Sequence, residues 1–192
     1  ITLAQLYFKT KDYSNAVQLI ASFIEKEPNN LRIIEILHNI GVDYDKQNDY
    51  ENAVKVFQLI LQNSNIDITN TRLELGNIFL KMQQPDNAIA VLQKITSGDK
   101  ANIFKMQILI SRALIMKNDF RLAAEILQNI DENDVFINIE TKKYICYNKA
   151  ICYENIGDIE RAKKYYQQVI LLDITYRDAN ERYQKIMEEK NV

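Results

Sequence analysis

Apolar residues return along the chain at every third or fourth position, the spacing of one face of an α-helix, and short polar phrases interrupt them at regular intervals. The interrupting phrase is itself repeated. Lys11-Asp12-Tyr13-Ser14-Asn15-Ala16 is followed by Asn48-Asp49-Tyr50-Glu51-Asn52-Ala53, then by Gln84-Pro85-Asp86-Asn87-Ala88. It returns as Asn118-Asp119-Phe120-Arg121-Leu122-Ala123 and as Gly157-Asp158-Ile159-Glu160-Arg161-Ala162. The closing alanines are 37, 35, 35 and 39 residues apart, so the chain is an array of five units.

Each phrase reads as a helix start. Asp12, Asp49, Asp119 and Asp158 are placed to cap free N–H groups, and Pro85 suits a first turn, where no N–H is needed. Apolar stripes follow: Val17, Ile20 and Ile24; Val54, Phe57 and Leu61; Ile89, Leu92 and Ile95; Ala124, Leu127 and Ile130; Tyr166, Val169 and Ile170. A second helix precedes each phrase. Twelve residues before each closing alanine stands a small residue (Ala4, Gly41, Gly76, Ser111, Ala150), and nine before stands a large one (Tyr7, Tyr44, Phe79, Leu114, Tyr153). The small residue lets two helices approach closely, and the large one fills the space beside it. Every unit is thus a helix–turn–helix whose apolar faces need a neighbour.

The succession of small residue, aromatic, Asp-Tyr turn and alanine resembles the tetratricopeptide repeat, whose period is about 34 residues. Pro28, twelve residues after Ala16, matches the proline that often closes such a unit. The later units lack that proline, the early Trp is absent and the spacings are long, which predicts extended connections near 63–70, 97–102 and 131–138. The resemblance implies an all-α fold, a right-handed superhelical α-solenoid of antiparallel helix pairs. The expected units are 1–29, 30–66, 67–98, 99–134 and 135–174 in a single array. Residues 175–190 read as a terminal helix, with Tyr176, Ala179, Tyr183, Ile186 and Met187 inward and Arg177, Asp178, Glu181, Arg182, Lys185 and Glu188 outward. Such a polar-backed helix would cap the array; the first helix of a sixth unit is the other reading. Because Ile1 is not an initiator Met and begins mid-pattern, a fragment of a longer protein is expected, and cytoplasm and periplasm both stay open.

Composition narrows the chemistry. The 192 residues are 47% hydrophobic, enough for a core, and the net charge of −2 argues against nucleic acid as the partner. Lys142, Lys143, Arg161, Lys163 and Lys164 are interleaved with Glu154, Asp158 and Glu160, a mixed-charge face. No apolar run is long enough for direct membrane insertion as a helix. His38 is the single histidine and the four glycines stand alone, so no catalytic residues, metal site or cofactor are expected, and the chain reads as no enzyme. Cys146 and Cys152, six apart on one helix, would sit about 9 Å from each other, too far for a disulfide.

The resemblance also implies where a partner would bind. The concave face of such an array is lined by the first helix of each unit. Counting back from each closing alanine gives Gln5 and Phe8, then His38, Val42 and Asp45. Leu73, Asn77 and Leu80 follow in the third unit, Ile108, Arg112 and Ile115 in the fourth, and Tyr144, Tyr147, Ile151 and Glu154 in the fifth. Of these, His38, Val42, Leu73, Asn77, Leu80, Ile108, Arg112, Ile115, Tyr144, Tyr147 and Ile151 form the expected groove. Its apolar strip, with Asn77 and Arg112 as polar fixtures, suits a protein or peptide partner presenting an apolar or amphipathic segment. The family's carboxylate clamp has no full match: Asn39 and Asn77 find no correct neighbours, with Leu73 and Leu109 at two of the required positions. The competing reading is a scaffold segment of a larger assembly, envelope-associated among the options, acting through edges, ends or self-association.

Overall fold

The computed structural model describes residues 2–64, 68–96 and 98–189. These form helices α1 (Thr2–Lys9), α2 (Tyr13–Ile24), α3 (Leu31–Lys46), α4 (Tyr50–Asn63), α5 (Thr69–Lys81) and α6 (Pro85–Leu92). They continue as α7 (Lys100–Met116), α8 (Phe120–Gln128), α9 (Ile139–Ile156), α10 (Ile159–Leu172) and α11 (Ala179–Glu189), and the described residues hold no strand. The chain divides into two compact units, Ile1–Gly98 with α1 to α6 and Asp99–Val192 with α7 to α11. Within each, consecutive helices pack as antiparallel hairpins: α1/α2, α3/α4 and α5/α6 in the first, α7/α8 and α9/α10 in the second.

One turn geometry serves all five hairpins. The residue before each cap takes a left-handed backbone: Lys11 (φ 60), Asn48 (φ 60), Gln83 (φ 59), Asn118 (φ 60) and Gly157 (φ 86). The cap's N–H then donates five residues back, Asp12 to Tyr7, Asp49 to Tyr44, Gln84 to Phe79, Asp119 to Leu114 and Asp158 to Tyr153, at 2.8–2.9 Å. This pairing satisfies a carbonyl that the ended helix leaves free. The aspartates accept from the N–H three residues on, at 3.4 Å for Asp12, 3.3 Å for Asp49 and Asp119 and 3.1 Å for Asp158. At α6, Pro85 occupies the first turn and Gln84 makes no side-chain cap.

The small residues work by proximity. A Cβ on Gly41 would stand 2.7 Å from Phe57 Cζ, and one on Gly76 2.6 Å from Leu92 Cγ. The partner position sixteen residues on is buried in every hairpin: Ile20, Phe57, Leu92, Leu127 and Tyr166. All five closing alanines (Ala16, Ala53, Ala88, Ala123, Ala162) have 0% exposure. A larger side chain there would force the pair apart.

Three local expectations are revised. In α4 the buried stripe is Ala53, Val56, Phe57 and Ile60, while Val54 and Leu61 stay partly exposed. Ile95 and Ile130 are buried as expected, but beyond the ends of α6 and α8, on the chain leaving each helix. The terminal helix starts at Ala179 rather than near 175. Asp173 accepts from the Thr175 N–H (3.0 Å) and hydroxyl (2.8 Å), and Arg177 turns left-handed (φ 51), so 173–178 form a turn. Lys190 lies outside the described residues, as do 65–67 and 97 of the expected long connections.

The connection from α8 to α9 is fastened by charge. Lys149 of α9 is 1% exposed. Its ammonium donates to Glu132 Oε2 (2.7 Å) and the Ile130 carbonyl (3.3 Å), and lies 5.2 Å from the Tyr165 ring. Lys142 donates to Asn133 (2.7 Å), and Lys100 pairs with Asp134.

Candidate protein-interaction faces

In Ile1–Gly98 the first helices α3 and α5 contact each other. His38 Nδ1 stands 3.4 Å from the Thr71 hydroxyl and its ring packs edge-on to Phe57 at 5.5 Å. Burial pulls the imidazole pKa down, partly opposed by the Glu74 carboxylate. Further along, Lys81 donates to both oxygens of Asp45 at 2.7 Å. Leu73 and Leu80 are buried, with 6% and 0% exposure, so both are packing residues; His38, Val42 and Asn77 are partly exposed. The expected apolar strip is therefore narrower here than its residue types suggested.

The face of Asp99–Val192 is richer. Ile108, Arg112 and Ile115 on α7 and Tyr144 and Ile151 on α9 are all partly exposed. Tyr147 is buried, its hydroxyl donating to Asp178 Oδ1 at 2.5 Å, with its ring edge-on to Tyr166 (6.2 Å) and Tyr176 (5.8 Å). That burial, reinforced by Asp178, pushes the phenol up to about 12. Arg182 on α11 donates to Asp178 (2.7 Å) and to both oxygens of Glu154 (3.0 and 3.1 Å), and Tyr166 donates to Glu154 Oε2 at 2.5 Å. Arg177 places its guanidinium 4.9 Å from Tyr147, 5.4 Å from Tyr176 and 5.5 Å from Tyr144.

This network corrects the reading of Arg177, Asp178 and Arg182 as an outward polar side. They bind back onto α9, because the 173–178 turn reverses the chain before the helix begins. The one sequence signal was Glu154, an acid among tyrosines at an inner-face position, which needs a cation when partly desolvated. Lys149 carries no such signal, since its partner Glu132 lies in an irregular connection.

Catalytic material is sparse. Cys146 and Cys152 are buried and free on α9, and burial pushes their thiols up to about 11 and about 12. Thiols held in that form are poor nucleophiles at neutral pH. Among the described residues no group of three or more His, Cys, Asp or Glu side chains could hold a metal ion, and no helix is long and apolar enough to cross a membrane.

Stacked antiparallel helix hairpins with one recurring turn and small-residue packing define an all-α solenoid of the protein-interaction class. Residues 34–65 and 144–173 match one tetratricopeptide repeat family, and 2–30 and 71–97 match another. The chain belongs to the tetratricopeptide repeat proteins, which are in general non-enzymatic modules that bind other proteins. The α7/α8 hairpin lies outside those matches yet has the same turn.

The chain is 27% identical over 160 residues to the intraflagellar transport protein 88 homolog of Homo sapiens, covering 77% of this chain and 18% of that protein. Among solved structures it is similar to YrrB, described as a tetratricopeptide protein with an unusual peptide-binding site. The TM-score there is 0.72 at 16% identity, over 96% of this chain and 90% of YrrB. It is also similar to MamA, with a TM-score of 0.69 at 19% identity and 82% of each chain covered. At these identities the likeness to solved structures concerns the fold.

Proposed function

We propose that this chain binds a peptide or helical segment of another protein along the inner faces of its first helices. The observation that carries the reading is the partly exposed set Ile108, Arg112, Ile115, Tyr144 and Ile151: aliphatic anchors beside polar fixtures on two successive first helices of one compact unit. Exposed apolar side chains rimmed by polar groups suit an amphipathic segment. The description of YrrB as peptide-binding is consistent with it. Photo-crosslinking from Ile115 and Ile151, with exposed Lys164 as control, tests it in extract of the source organism. The expected result is one discrete partner captured from both inner positions and lost with Ile151→Glu. Equal capture from Lys164 would sink the reading.

A second reading has its own support. The chain spans under a fifth of the intraflagellar transport relative it matches, so a scaffold segment of a larger, transport-related assembly is the alternative function. It predicts that edge substitutions, such as Val135→Lys with Phe136→Lys, disturb complex assembly more than inner-face ones. Both side chains are exposed on the α8–α9 connection.

A further inference from the structure

The inner face of Asp99–Val192 is unevenly charged. Its acids are consumed: Glu154 accepts from Arg182 and Tyr166, and Asp178 from Arg182 and Tyr147. Two guanidiniums are left over. Among the described residues neither Arg112, on α7, nor Arg177, before α11, has a carboxylate within ion-pair distance. Arg177 stands 5.5 Å from the Tyr144 ring, and the Arg112 charge also bears on the Tyr144 hydroxyl, where both offset part of the rise that burial imposes.

The chemistry of Arg177 decides which ligand sign fits. Its guanidinium lies against three tyrosine rings. A guanidinium held by aromatic rings spends no N–H donor on a carboxylate, so its planar fork is still available to one. An incoming cation would find this aromatic cage already filled and would meet two uncompensated positive charges. An anion would meet two donors. Aliphatic surface adjoins them: Ile151 of α9 holds the repeat position that Arg112 holds in α7, eleven residues before Ala162 and Ala123. Ile108 and Ile115 lie one turn to either side of Arg112 and are partly exposed.

We propose that this face recognises an acidic peptide segment of a partner protein, seating a carboxylate between Arg112 and Arg177 over Tyr144 while neighbouring aliphatic side chains rest on Ile108, Ile115 and Ile151. The proposal rests on the inner-face reading above and adds the sign of the ligand's charge. It differs from a C-terminal carboxylate clamp, because no asparagine is required and the arginines come from α7 and from the turn before the terminal helix.

The test is selection from a phage-displayed library of random peptides, using the whole chain, followed by affinity measurements on synthetic copies. Selected peptides are expected to carry Asp or Glu beside Leu, Ile or Val. Changing that acid to its amide, or making Arg112→Gln, should weaken binding about tenfold, and raising salt should weaken it further. Arg112 is the variant of choice because among the described residues it holds no ion pair, and an unchanged thermal melt would confirm intact folding. Peptides selected without acids, or affinities unmoved by both the amide change and Arg112→Gln, would overturn the proposal. If such peptides were still lost with Ile151→Glu, the inner-face reading would survive. Absence of any enriched peptide, or binders indifferent to Ile151→Glu, would overturn both.

Discussion

At single positions the fold is held by two demands that pull residue choice in opposite directions. The turn needs a left-handed residue, and the sequence meets it well at Asn48, Asn118 and Gly157 but less well at Lys11 and Gln83. Gln83→Gly is therefore expected to stabilise the chain, by about 0.5–1 kcal/mol after the entropy cost of glycine in the unfolded state, read as a raised denaturation midpoint. The hairpin interior needs the reverse economy. At Gly76 a methyl group would fall 2.6 Å from Leu92 Cγ, inside a fully buried side chain. Gly76→Ala gains about 1 kcal/mol of helix propensity but overpacks the pair, so a net loss of about 1–2 kcal/mol is expected by urea denaturation. An unchanged or raised midpoint would show that Leu92 yields without cost.

Among the elements, the connections rather than the helices carry the unusual interactions. The α8–α9 connection is pinned by a buried ion pair, Lys149 with Glu132. Removing one partner strands a charge, whereas replacing the ammonium with an apolar group of similar shape removes the desolvation cost as well. Glu132→Ala should cost about 3 kcal/mol, and Lys149→Met much less, with the double variant close to Lys149→Met. A calorimetric comparison of the three decides it; equal losses for both single variants would argue against a stranded charge. The terminal helix follows the same logic, since Arg182 joins it to Glu154 of α9 and Arg177 anchors its preceding turn among tyrosines.

Over the whole molecule, the tyrosines of Asp99–Val192 make stability sensitive to alkali. Tyr147 and Tyr165 are each pushed up to about 12, chiefly by burial, and Tyr166 is pushed up further with Glu154 adding to burial. A pKa raised on folding favours the folded state while the phenol stays protonated. The contribution is thus full below the usual value of 10.0 and is lost as pH rises through about 12. Absorbance titration beside circular dichroism should show a set of tyrosines that ionises only as helicity falls. Simultaneous titration of all eleven below the unfolding pH would contradict this.

By itself the sequence determined the repeat. Apolar periodicity, Asp caps and paired small and large positions are local or hairpin-range properties, so five units, their turns and the tetratricopeptide likeness were legible in one chain. Spacing from the closing alanine also picked out Ile108, Arg112, Ile115, Tyr144 and Ile151, all of them partly exposed. Exposure was not legible, because it depends on how neighbouring hairpins stack: Leu73, Leu80 and Tyr147 carry groove-facing spacing and yet are buried. Nor was the pairing of distant charges. Glu154 meets Arg182 across 28 residues, and Lys149 meets Glu132 across 17, through irregular turns that no periodic pattern describes. Only the tertiary structure decided which arginines were spent on ion pairs within the fold: Arg182 is, with Glu154 and Asp178.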